Sequence, residues 1–145
     1  MTVIAIDSLG NSTTFGPESF TVAASAGLSP PFGSIAYAED NVTFSNTVGQ
    51  SDSVDVCGWV ADPADGSPLS TVKIYIHGAL VAAPTLGIAT PTVVTKYSNA
   101  VYAHAGFELL YPAASLALGK HEVTVVAIDF GGRSTTLGPN IFKVQ

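Results

Sequence analysis

The chain ends much as it begins. Residues 2–22 read TVIAIDSLGNSTTFGPESFTV, and residues 124–144 read TVVAIDFGGRSTTLGPNIFKV. At an offset of 122, thirteen of the twenty-one positions are identical and no gap is needed. Self-similarity at a fixed period is the mark of a repeat array, and it constrains the fold more than composition does. A period of about 120 residues is one ordinary domain, large enough for its own core. The chain therefore reads as the terminal hairpin of a preceding repeat (1–22), a linker (23–30) and one complete domain (31–145). The linker is small and polar and is stiffened where it meets the domain by the pair Pro30 and Pro31.

Within the domain, strand signals dominate. SVDVCGWVAD (53–62) sets Val54, Val56 and Val60 on one face and Cys57 and Trp59 on the other. TVKIYIHGALVAA (71–83) predicts a hairpin turning at His77 and Gly78. GFELLY (106–111) and HEVTVVAID (121–129) are two more strands. The last returns after Gly131 and Gly132 and is interrupted at Gly138 and Pro139, which predicts an edge or a kink. GSIAYA (33–38) and NVTFSNT (41–47) read as weaker strands. Turn signals every ~8–12 residues and about seven short strands predict an all-β, antiparallel β-sandwich of two sheets. Residues 84–105 break the pattern: this excursion has no clean alternation, and connections beyond ~12–15 residues are uncommon in compact domains. Within it, Thr90 followed by Pro91 predicts one short helical turn.

Composition removes several classes of function. A hydrophobic fraction of 47% with 11% charged residues is not that of a disordered chain. The net charge of −6 argues against a nucleic-acid partner, whose phosphates require a Lys/Arg surface, and against anionic membranes. No apolar run approaches the ~20 residues of a membrane-spanning helix, so no membrane insertion is expected. The first residues, MTVIAIDSLG, lack the basic region of a signal peptide. Cys57 stands alone, which leaves neither an intrachain disulfide nor a cysteine zinc site.

A set of weak motifs falls in a definite order. Pro31, Phe32 and Gly33 open the domain, and Gly58, Trp59 and Asp62 end a strand. A V-x-I-Y-I-x-G hairpin follows, then Gly119, His121, Val123, Val125, Ala127, Asp129 and Gly132 in a strand and turn. Together these motifs resemble the bacterial immunoglobulin-like (Big-type) domains that recur in tandem in large surface or secreted proteins. The resemblance implies an immunoglobulin-like sandwich and a non-catalytic module for spacing, adhesion or display, outside the cell or on its surface. Similar repeats often carry Arg-Pro-Asp-Val in the excursion, where this chain has Thr90, Pro91, Thr92 and Val93. A charge-dependent role for that loop is therefore not expected.

The residues offer little catalytic chemistry. No G-x-S-x-G elbow is present, and His77, His104 and His121 read as a turn, a loop and a strand start. Asp62, Asp65 and Asp129 sit near strand ends and are the calcium candidates, because Ca²⁺ takes six to eight oxygens from such carboxylates and loop carbonyls. The same aspartates also suit Asx turns. A carbohydrate-binding module is the alternative reading, with Tyr97, Tyr102 and Tyr111 as stacking residues and His104 beside them. The expected partners are neighbouring repeats, a glycan or a cell-surface protein. Self-association through residues 1–22 is expected as well, since an isolated hairpin is marginal in water and adds readily to a sheet edge.

Overall fold

The computed structural model describes residues 3–16 and 29–145. The rest of the terminal hairpin (17–22) and most of the linker (23–28) lie outside the described residues. Strands β1 (Val3–Ile6) and β2 (Ser12–Phe15) form a two-stranded antiparallel sheet by themselves. Nine strands follow: β3 (Phe32–Asp40), β4 (Thr47–Val48), β5 (Ser53–Ala61), β6 (Thr71–Ile76), β7 (Ala79–Ala82), β8 (Thr85–Ile88), β9 (Gly106–Pro112), β10 (Gly119–Ile128) and β11 (Ser134–Val144). The only α-helix among the described residues, α1 (Pro91–Tyr97), lies between β8 and β9.

The nine strands make two sheets, ordered β3-β5-β9-β8 and β4-β11-β10-β6-β7. Every pairing is antiparallel except the short β4–β11 contact. Strict alternation makes the core. On β5, Val54, Val56 and Val60 are buried, and on β10 so are Val123, Val125 and Ala127. These residues join Phe107, Ile74 and Phe142 in one cluster drawn from both sheets. Burial of each large apolar side chain contributes about 1.5–3 kcal/mol. The architecture is thus the expected all-β sandwich of two sheets.

Several local expectations hold. The β6–β7 turn is at His77 and Gly78, both at positive φ (50° and 75°), as a two-residue hairpin of this hand requires. The kink at Gly138 and Pro139 is a β-bulge: the register with β10 shifts between Val123 and Val125, and the strand continues.

Others need correction. Residues 41–46 are turn and bend rather than strand, and of the expected strand 41–47 only Thr47 pairs, joining Val48 at the end of β11. The cause is Asp40. Its buried carboxylate accepts the N–H groups of Val42 (2.9 Å), Thr43 (2.7 Å) and Gly49 (3.2 Å), which curls the chain into an Asx turn. The excursion is also more ordered than its pattern suggests. It holds β8, α1 and a 3-10 turn at Ala100–Tyr102. No helix among the described residues is long and apolar enough to cross a membrane.

Candidate functional site

Three of the candidate tyrosine and histidine residues fall within or beside the folded excursion. Thr90 does not cap α1 through its side chain. Its Oγ1 instead donates to the Tyr102 carbonyl (2.7 Å) and accepts the Ala105 N–H (3.1 Å), tying the two ends of the excursion together. That clasp lays α1 over the outer face of β3 and β5. Phe32, Trp59, Tyr97 and Tyr102 meet there, with neighbouring ring centroids 5.3–6.0 Å apart, mostly edge to face. Such pairs contribute about 0.5–1.5 kcal/mol each beyond area burial. Val93, Ala61 and Ala105 complete a second, smaller core. β5 is thus packed on two faces: Val54, Val56 and Val60 lie in the main core, while Trp59 and Ala61 pack with the excursion.

The candidate ligand-binding residues do not form one exposed surface. Tyr102 is buried, at 6% exposure. Tyr97 is 39% exposed, yet its ring packs on Phe32 and Trp59 and carries the Lys96 ammonium 5.2 Å from its centroid. His104 is exposed, with its N–H on Ser67 Oγ (3.3 Å) and Nδ1 3.2 Å from the Gly87 carbonyl. Tyr111 pairs with Val54 at the opposite end of β5 from Trp59, roughly 17 Å away at ~3.3 Å per residue, and packs against the main core. Three shallow grooves of about 250–300 Å³ lie elsewhere, and none is lined by Tyr97, Tyr102, His104 or Tyr111.

The acidic candidates close turns. Asp62 is buried, and its Oδ1 accepts the N–H groups of Ala64 and Asp65, both at 2.8 Å. The Asp65 side chain is exposed. Asp129 is buried, accepts the Arg133 N–H (2.8 Å) and pairs with Arg133 Nε at 2.6 Å. Burial alone would raise the Asp129 pKa, but the Arg133 N–H, side chain and charge outweigh it and hold the carboxyl below its ordinary range. Among the described residues, no three His, Cys, Asp or Glu side chains gather where they could hold one ion.

On the outer face of β5, Cys57 is a free, half-buried thiol. Burial first, and the charges of Asp55 and Glu108 after it, push its pKa up despite the Tyr37 hydroxyl. A thiol so placed is a poor nucleophile.

One pair was hidden in the sequence. His77 and His121 are 44 positions apart, yet the β6–β10 ladder brings His77 Nε2 to 3.1 Å from His121 Nδ1. The alternation around each residue gives no sign of this, because the contact depends on strand order. The chain matches no protein-family model and no curated protein.

The hairpins β1–β2 and β10–β11 coincide residue for residue. Val3↔Phe15, Ile4↔Thr14, Ala5↔Thr13 and Ile6↔Ser12 pair in one; Val125↔Leu137, Val126↔Thr136, Ala127↔Thr135 and Ile128↔Ser134 pair in the other. Each is closed by an aspartate that opens a five-residue loop, with Gly10 at φ +84° and Gly132 at φ +82° in the left-handed position that favours glycine. Their surroundings differ. Ala127 is fully buried where Ala5 is exposed, and Ile128 is half-buried where Ile6 is 69% exposed.

Proposed function

We propose that this chain is a non-catalytic, immunoglobulin-like repeat module of a larger bacterial surface or secreted protein, serving as a structural spacer or as an adhesive, protein-interacting unit. The observation that carries this reading is the second hairpin. Residues 3–16 reproduce β10–β11 in sequence, register and turn, without the sheet that such a hairpin covers in the domain. A tandem array accounts for it: the hairpin is the end of the preceding unit.

The sheet order supports the immunoglobulin-like assignment. With β3, β5, β6, β7, β8, β9, β10 and β11 taken as A, B, C, C′, D, E, F and G, the sheets become ABED and GFCC′. The short strand β4 adds to the G edge in parallel. The mutual packing of Phe32, Trp59, Tyr97 and Tyr102 supports a structural role for the excursion over a carbohydrate platform. The partners in this reading are neighbouring repeats and, for the first hairpin, other copies of the chain. The site of action is the cell surface or its exterior.

The test compares the full chain with residues 29–145 by thermal unfolding and light scattering. The shorter chain is expected to unfold in one cooperative transition at the Tm of the full chain and to be monomeric. The full chain is expected to self-associate. Failure of residues 29–145 to fold, or one monomeric mass for both chains, would contradict the proposal.

A further inference from the structure

The His77–His121 pair has the nitrogen–nitrogen separation of a metal chelate, and this holds whether or not the chain belongs to an array. His121 is 5% exposed and its ring stacks on Phe142 at a centroid distance of 5.3 Å and an interplanar angle of 21°. Its Nε2 lies 2.7 Å from the Ala117 carbonyl oxygen. A carbonyl can only accept, so the neutral ring carries its proton on Nε2 and presents a bare lone pair at Nδ1. Metal-binding histidines are oriented in this way, with the distal N–H donated to a carbonyl or carboxylate.

His77 faces that lone pair from the β6–β7 turn, where its N–H bonds the Glu122 carbonyl at 3.0 Å. Two imidazole nitrogens bound at ~2.0–2.1 Å to one ion, with an angle between 90° and 110°, lie about 2.9–3.4 Å apart. The observed separation of 3.1 Å falls within that span. The side chain of His77 is exposed, so an ion has access from solvent and water can fill its remaining positions.

We propose that His77 Nε2 and His121 Nδ1 form a two-imidazole site for a divalent transition-metal ion of the copper, nickel and zinc class. Binding replaces the hydrogen bond: the exposed His77 ring turns so that its Nε2 and His121 Nδ1 both face an ion set off the line between them. The His77 proton moves from Nε2 to Nδ1, and binding releases no net proton from this pair. Imidazole suits all three ions, and Cu²⁺ is held most tightly of them.

The test titrates the intact chain with Cu²⁺ alone, followed by electron paramagnetic resonance and by the shift in Tm. His77→Asn is the informative variant, because the turn needs positive φ and Asn tolerates it. His104→Asn is the control. We expect one Cu²⁺ per chain, with hyperfine coupling from two imidazole nitrogens and a higher Tm. His77→Asn should weaken binding by about tenfold or more and abolish the Tm shift. His104→Asn should change neither. Equal binding by the wild type and His77→Asn, or no binding to the wild type, would overturn the proposal and leave the pair a structural hydrogen bond.

Discussion

Asp7 and Asp129 stand 122 positions apart and close two separate hairpins with the same bond. Each carboxylate accepts the backbone N–H four residues on, at 2.9 Å from Asn11 and 2.8 Å from Arg133. Only their surroundings differ. Asp7 is exposed, with the Asn11 side chain at 2.8 Å, while Asp129 is buried against the Arg133 guanidinium.

That difference separates two substitutions at equivalent positions. Arg133→Ala leaves a buried carboxylate without its charged partner, a loss that destabilises the fold. Asn11→Ala touches only an exposed turn of the separate hairpin. We expect Arg133→Ala to lower the main Tm and Asn11→Ala to leave it unchanged, as followed by calorimetry. Equal shifts would mean that the first hairpin is part of the domain.

Gly58 marks a close approach inside the sandwich. A Cβ there would meet the Ser34 carbonyl oxygen and the Phe107 ring, whose Cζ would lie 2.6 Å away. Phe107 is fully buried and cannot give way easily. Gly58→Ala is therefore expected to cost about 1–3 kcal/mol, the range for overpacked cores, measured by urea unfolding. A neutral result would contradict the close packing of β5, β3 and β9.

Thr90→Val tests whether the excursion is scaffold. Valine keeps the shape but removes the bonds to the Tyr102 carbonyl and the Ala105 N–H. Leaving such groups unpartnered costs about 1–3 kcal/mol. We expect global destabilisation of that size and greater exposure of Trp59, read by its fluorescence. A stable protein with unchanged fluorescence would show that the clasp is not needed.

Two carboxylates work with acid pH in opposite directions. Asp55 has its pKa raised, by burial first and then by the charges of Glu108 and Glu39. Its ionisation therefore opposes folding above the raised native value, and the penalty vanishes below the unfolded value of about 3.9. Asp40 is held low, foremost by the Thr43 N–H, so its contribution is present above that unfolded value and lost as pH falls through the native one. We expect Asp55→Asn to raise stability at neutral pH by on the order of 0.2–1 kcal/mol, the scale of partly exposed charge effects. The gain should disappear near pH ~3, where the parent itself weakens as Asp40 protonates. Tm measured from neutral to acid pH checks both signs, and a gain that persists in acid would show that charge is not its cause.

Much of this was legible because local chemistry decided it. Alternation placed Val54, Val56 and Val60 in the core, and His77-Gly78 and Gly131-Gly132 fixed two turns. The failures arose where a side chain competed with the backbone pattern. Asp40 turns a strand-like stretch into an Asx turn, and Thr90 spends its hydroxyl on the far end of a loop instead of its own helix. Tyr102 is buried by α1, and Tyr111 lies at the other end of β5; neither position follows from local spacing. The His77–His121 contact needed the order of strands, which no local pattern encodes.

In the proposed array, the hairpin of residues 3–16 belongs to a preceding sandwich. Joining a second copy of residues 29–123 ahead of Thr2 supplies that sandwich at the 122-residue period. Amide hydrogen exchange of residues 3–6 and 12–15 is the direct measurement. In the 145-residue chain at concentrations too low for self-association, exchange should be fast, since a lone two-stranded sheet is marginal in water. In the joined chain, protection should rise to the level of β10 and β11. Fast exchange in both chains, or failure of the added body to fold, would contradict the account.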